Sequence, residues 1–149
     1  MKRTMEWIFP VYPLRRREDE AGQVQLWDPV RQKWVAEQPE ELVRQQLLLH
    51  LTQTHGVPRG RIGVEKEIAY YAQRKRFDVV VFDAQAQPSV LIEVKAPEVD
   101  LTEQTLMQVA RYNQTIQAPH LLLTNGRQLL FFSRGEDGRY QFVPEGWYE

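Results

Sequence analysis

The chain contains no cysteine, which excludes disulfides and thiolate metal sites. Its three histidines, His50, His55 and His120, stand far apart and show no metal-ligand spacing. No apolar run approaches the roughly 20 residues of a membrane-spanning helix. The basic start, Met1 to Arg3, leads into no signal-peptide apolar core, so the cytoplasm is the expected compartment. An excess of either charge is also missing. The formal net charge is −1, so any contact with nucleic acid has to come from a local patch rather than from bulk basicity. There is no internal repeat, and no linker long enough to set off a second domain. What is present is 149 residues, 42% hydrophobic and 26% charged, which suits one domain with a substantial core.

Two neighbouring apolar runs dominate that core. Arg76 to Asp83 reads Arg-Phe-Asp-Val-Val-Val-Phe-Asp, and Ser89 to Lys95 reads Ser-Val-Leu-Ile-Glu-Val-Lys. Both have the composition of strands, and the segment from Asp83 to Pro88 predicts a turn between them. Side chains alternate along a strand, so Glu93 and Lys95 share a face roughly 7 Å apart, with Ile92 and Val94 on the other. An acid and a lysine in an apolar strand are costly to bury unless paired or bound to metal. Asp78, Glu93 and Lys95 together suit phosphodiester hydrolysis. Two carboxylates suit Mg²⁺, which keeps some of its waters. The ion polarises phosphate and acidifies a bound water, and a lysine offsets the charge of the transition state. The competing reading is an edge-strand ion pair beside a solvent-facing aspartate.

Taken in order, residues 1–37 are the least regular. Pro10 and Pro13 forbid a helix near the aromatic start. The charge run Arg15 to Glu20 reads as a solvated turn; phosphate contact by its three arginines is the alternative, weakened by the acids beside them, which cancel much of their field. Gln23 to Trp27 and Lys33 to Val35 predict a β-hairpin. Pro39 opens a helix at a position where its missing N–H costs nothing. Glu40 and Glu41 sit in the first turn, where the helix dipole favours acids. Val43, Leu47, Leu48 and Leu51 form its apolar stripe, and Gly56 and Pro58 end it.

Ile62, Val64, Lys66 and Ile68 alternate as one face of a strand, with Glu65 and Glu67 on the other. Arg74, Lys75 and Arg76 are the only unopposed basic cluster and are the expected DNA-backbone contact; an exposed turn is the alternative. A second helix runs from about Thr102, with Asp100 competing as its cap, to Ile116. It buries Leu106, Val109, Ala110 and either Tyr112 or Asn113. His120 to Thr124 and Gln128 to Ser133 predict strands joined at Asn125-Gly126, and Arg139 to Val143 a last one.

The spacing from Asp78 to Glu93-Val94-Lys95 resembles the PD-(D/E)xK nuclease signature, with Phe77 in place of its proline. The order helix, three strands, helix, strand resembles the αβββαβ core of that superfamily. Gln108 and Tyr112 resemble the Q-x-x-x-Y motif that marks the N-terminal nuclease domain of type I restriction enzyme R subunits. Pro39 to Arg44, Val64-Glu65, Ile92 to Pro97 and Thr124 to Gly126 resemble stand-alone relatives of that domain, over about residues 25–133.

The resemblance implies an α/β fold with a central mixed β-sheet flanked by helices. The expected layout is a single restriction-endonuclease-like domain over 1–149. It has an N-terminal extension (1–37), a nuclease-like core (38–133), and a C-terminal strand and tail (134–149). Asp78 and Glu93 resemble the metal-holding acids, Lys95 the catalytic lysine, and Glu41 the accessory acid that reaches the metal through water. Glu65 is a lower-ranked alternative to Glu41. Gln108 and Tyr112 resemble the pair that positions DNA or the shell of the metal site. The implied activity is Mg²⁺- or Mn²⁺-dependent DNA cleavage, with partner subunits or a homodimer. One departure stands out. The chain contains no GxxxxGK[ST] loop, so ATP-driven translocation is not expected of it. The rival expectation is a non-catalytic DNA-binding or scaffold module of the same fold, and a third is an oligomerisation domain using exposed aromatics.

Overall fold

A computed structural model of the protein describes residues 7–70 and 73–144. Its strands divide into two sheets. The smaller comprises β1 (Arg16–Glu18), β2 (Val24–Asp28) and β3 (Lys33–Ala36), all antiparallel. The charge run read as a solvated turn therefore contributes an edge strand. Only its end turns, where Asp19 accepts the N–H groups of Ala21 and Gln23 and Gly22 takes a φ of 79°.

Helix α1 (Pro39–Leu49) follows, with Pro39 in its first turn and no side-chain cap from Gln38. It does not run regularly to Gly56. It widens into a π-helical turn, His50–Thr54, where the Thr52 hydroxyl donates to the Leu48 carbonyl at 2.9 Å. The apolar stripe still reaches the buried Leu51.

The larger sheet has six strands in sequence order: β4 (Ile62–Tyr70), β5 (Gln73–Phe82), β6 (Pro88–Val94), β7 (His120–Thr124), β8 (Leu129–Arg134) and β9 (Tyr140–Phe142). Every pair is antiparallel except β6 with β7. A parallel pair needs a crossover, and helix α2 (Glu103–Ile116) supplies it. The Thr102 hydroxyl, not Asp100, caps α2 by accepting the Thr105 N–H. Among its described side chains, Val109 and Asn113 are the buried ones. The side chain of Tyr112 lies outside the described residues.

The two helices cover opposite faces of this sheet. Val43, Leu47 and Leu48 of α1 pack with Val79, Val81, Val90, Ile92, Val94 and Leu122. Val109 of α2 packs with Phe77, Val80, Leu91, Leu121 and Leu123. Burial on both faces explains why β6 and β7 read as unbroken apolar runs.

Alternation fails at one place. Ile62 and Val64 belong to the α1 core but Ile68 to the α2 core, so the expected single apolar face of β4 is split. The switch comes at Glu65, whose φ of 51° is left-handed. Next to it, Phe77 and Val79 lie in different cores although two residues apart. The β4–β5 ladder passes from Val64↔Val79 to Lys66↔Phe77 without a Glu65↔Asp78 pair. The β5–β6 ladder stops at Val79↔Ile92. Asp78 therefore sits at a break shared by three strands.

Candidate metal centre

At this break a side chain replaces main-chain pairing. Asp78 Oδ2 accepts the Val94 N–H at 2.8 Å. That amide lies between Glu93 and Lys95, so the bond fixes Asp78 beside both. Lys95 continues past the end of β6, its own N–H donating to the Thr124 carbonyl at 2.9 Å.

The carboxyl groups of Asp78 and Glu93 face each other within hydrogen-bonding range. Burial pushes the Glu93 carboxyl up to about 8, the Asp78 charge adds to the rise, and Lys95 opposes it. Glu40, at the start of α1, is also raised, first by burial and then by Asp78, with Arg44 and Lys95 opposing. Asp78, Glu93, Lys95 and Glu40 thus form one electrostatic cluster, with Arg44 at its edge.

Behind this cluster lies a web of arginines. The Arg44 side chain is 5% exposed; its Nη1 donates to Glu41 Oε2 at 2.8 Å, and its Nη2 lies 3.3 Å from Glu40 and 3.7 Å from Asp78 Oδ1. Arg31 bonds Asp28 at 2.6 Å and Glu41 at 2.5 Å. Gln45 donates to Asp28 at 2.9 Å and to Glu41 at 3.0 Å. Glu65 touches Arg31, Arg44 and Arg76 at 3.4, 3.6 and 3.1 Å.

Asp28 is fully buried. Burial pushes its carboxyl up, but hydrogen bonds from Arg31 and Gln45 outweigh that and hold it below its ordinary value. Glu41 is enclosed the same way, both of its oxygens engaged by Arg31, Gln45 and Arg44. The arginine web is what reading the sequence missed. Its one signal is Arg44, a cation inside the apolar stripe of α1, three and four residues after Glu41 and Glu40. Asp28, at the end of β2, and Arg31, in the hairpin connection, give no comparable signal.

Other expected residues sit elsewhere. Gln108 is exposed on α2. Arg74 and Arg76 are exposed on β5 rather than in a turn, and the Lys75 side chain lies outside the described residues. Arg76 is not unopposed, since it pairs with Glu65. Residues 73–77 of β5 pair only with β4, so these basic residues lie on a two-stranded arm extending past β6.

Among the described residues, no group of three His, Asp or Glu side chains assembles as a metal cage. Mg²⁺ does not require one, because it binds through one or two carboxylates, several waters and substrate phosphate. Two neighbouring carboxyl groups that repel each other when both ionise fit such an ion by oxygen chemistry and by sign.

No described helix is long and apolar enough to cross a membrane. No curated protein and no solved structure matches the chain. The family model for the type I restriction enzyme R protein N terminus matches residues 39–145, from the first residue of α1 to just beyond β9. With most of its length inside that match, the chain belongs to the family of type I restriction enzyme R protein N-terminal domains.

Proposed function

We propose that the domain is a metal-dependent nuclease of the PD-(D/E)xK type that hydrolyses phosphodiester bonds in DNA. The observation that carries this reading is the meeting of Asp78 and Glu93 beside Lys95 at the break in the sheet. Membership of a restriction-enzyme family supports it. Asp78 and Glu93 would hold Mg²⁺ or Mn²⁺. When bound, such an ion polarises phosphate and makes a water more acidic. Lys95 offsets the negative charge that builds on the phosphate as water attacks phosphorus and a bridging P–O bond breaks. Glu40 stands at the edge of the same cluster. Glu41 acts through Arg44, which it orients against Asp78. Arg74, Lys75 and Arg76 on the β4–β5 arm would meet the DNA backbone, with Gln108 and Tyr112 contacting DNA from α2. The partners of this reading are DNA and other restriction subunits, with a homodimer as the alternative.

One observation favours a second reading, a DNA-binding or scaffold module that does not cut. Arg44 Nη2 lies 3.7 Å from Asp78 Oδ1, where a guanidinium competes with a metal ion for the same oxygen. Nicking of supercoiled plasmid separates the two. The nuclease reading expects nicking that requires Mg²⁺ or Mn²⁺. It expects Lys95→Ala to slow nicking by ~10²–10³-fold, the worth of one electrostatic donor, while metal binding survives on the carboxylates. A Lys95→Ala protein that nicks as fast as its parent overturns the reading. A parent that binds DNA but nicks with neither ion supports the second.

A further inference from the structure

The family match begins at Pro39, and the three-stranded sheet before it carries a charged surface of its own. Trp27 N–H donates to the Arg15 carbonyl at 2.9 Å, extending the β1–β2 ladder back to Arg15. With Arg17↔Gln25 and Trp27↔Trp34 in register, alternation puts Arg15, Arg17, Gln25, Trp27 and Trp34 on one face. The other face carries the buried Leu26 and Asp28, the latter bonded to Gln45 of α1. Alternation also sorts the charge run. Arg16 turns away from Arg15 and Arg17 and pairs with Glu37 at 2.9 Å. The cancellation that the linear sequence suggests therefore falls on the other face. Among the described residues, neither Arg15 nor Arg17 has an ion-pair partner.

Both guanidiniums are held by indole rings. Arg15 lies 5.4 Å from the Trp27 ring centre and 5.2 Å from that of Trp34, and Arg17 lies 4.4 Å from that of Trp34. The two rings meet edge-on at 5.3 Å. Arg17 Nε donates to Gln25 Oε1 at 2.7 Å. We propose that this outer face binds the phosphate backbone of DNA, as a contact distinct from the candidate metal centre and indifferent to base sequence. A guanidinium stacked on a ring is weakly hydrated and keeps its N–H rim for planar, bidentate acceptors such as phosphate. Stacking has already reduced the rotamer freedom that binding would otherwise cost. Arg15 and Arg17, two residues apart on a strand, are roughly 7 Å apart along the chain, a spacing that suits successive phosphates of one strand. The indole faces are covered by the guanidiniums, so the surface reads backbone rather than bases.

The proposal rests on DNA as the partner in the reading above and not on hydrolysis, so its test is run in EDTA. Fluorescence anisotropy of a short labelled duplex is measured against salt for the parent, Arg15→Gln/Arg17→Gln and Arg15→Lys/Arg17→Lys proteins. Losing two phosphate contacts should weaken binding about tenfold at low salt. It should also flatten the slope of log K against log salt by about 1.8, at ~0.9 per phosphate. The lysine pair should keep the slope. Unchanged affinity and slope in the glutamine pair overturn the proposal. In the unaltered protein, duplex should protect Arg15 and Arg17 from an arginine-specific dicarbonyl, read by mass spectrometry; absence of protection overturns it even where a variant fails to fold. Displacement of duplex by polyglutamate of equal charge also overturns it, in favour of an acidic protein partner. An unaltered protein that binds duplex through this face but nicks plasmid with neither ion would count against the hydrolytic reading alone.

Discussion

Asp28 and Glu93 are both acids in the interior, and their proton affinities move in opposite directions. Asp28 is fully buried, and Arg31 and Gln45 hold its carboxyl below the ordinary value. Glu93 is burdened by burial and by Asp78, with Lys95 as its opposing cation, and is raised to about 8. The two sites are joined through Arg31, Glu41 and Arg44. The difference teaches that depth does not set the character of a buried carboxylate. Its neighbours do. A carboxylate enclosed by guanidinium is a fastener. A carboxylate facing another carboxylate stores repulsion that a bound cation relieves, which is why we assign metal binding to Asp78 and Glu93 and not to Glu41.

The largest effect should come from the fastener. Asp28→Ala leaves Arg31 with one close carboxylate and Gln45 with one fewer acceptor, inside the protein. Breaking a buried ion pair from one side costs ~3–5 kcal/mol. Urea unfolding should show a loss of that size. A loss below about 1 kcal/mol would mean the web is solvated and the comparison is false.

The facing pair should respond in the opposite direction. A raised carboxyl contributes stability that is fully present below its ordinary unfolded value of 4.5 and is lost as pH rises through about 8. Metal-free protein should therefore weaken as pH rises from 4.5 through about 8, and Glu93→Gln should remove the decline. At pH 9 the variant should be more stable than its parent by on the order of 2 kcal/mol. Mg²⁺ should raise the melting temperature of the parent and not that of the variant.

The acid side has other owners. The depressed Asp28 carboxyl contributes stability present above its unfolded value and lost as pH falls through its folded one. His50 is lowered to about 4 by burial and by His55, so its contribution is present above 6.5 and lost as pH falls towards 4. Thermal melts from pH 3 to pH 9 should thus show an acid limb that Glu93→Gln leaves in place. A variant that flattened both limbs would show that the two regions do not titrate separately.

Much of this architecture was legible in residue order. The two central runs, the α2 crossover and the Asn125-Gly126 turn each follow from local pattern, because burial on two faces and turn chemistry are local constraints. The convergence of Asp78 with Glu93 was expected from motif spacing, but its physical basis was not. A regular β5 would put Phe77 and Val79 on one face, and only the three-strand break separates them. A left-handed glutamate gives no signal in sequence, so the split face of β4 was invisible. The arginine web was hidden for another reason. It joins residues from β2, the following turn, α1 and β4, and no periodicity reports pairing between elements so far apart. In the charge run, adjacency suggested cancellation where a strand's alternation separates the signs.

The smallest expected effect concerns Glu65, which belongs to both regions. Its carboxylate is shared among Arg31, Arg44 and Arg76 at 3.1–3.6 Å, contacts too long and too exposed to be worth more than about 1 kcal/mol together. Its backbone sits at φ 51°, a conformation that costs a non-glycine residue roughly 1 kcal/mol. Glu65→Gly removes the contacts and the strain together, so the two terms offset. Stability should stay within about 1 kcal/mol of the parent, read by urea unfolding. Metal affinity then decides the residue's side. Unchanged Mg²⁺ affinity, read by the metal-dependent rise in melting temperature, assigns Glu65 to the arginine web with Glu41. A fall of tenfold or more at unchanged stability would assign it to the metal shell instead, as the accessory acid, in place of Glu41, whose oxygens Arg31 and Arg44 engage.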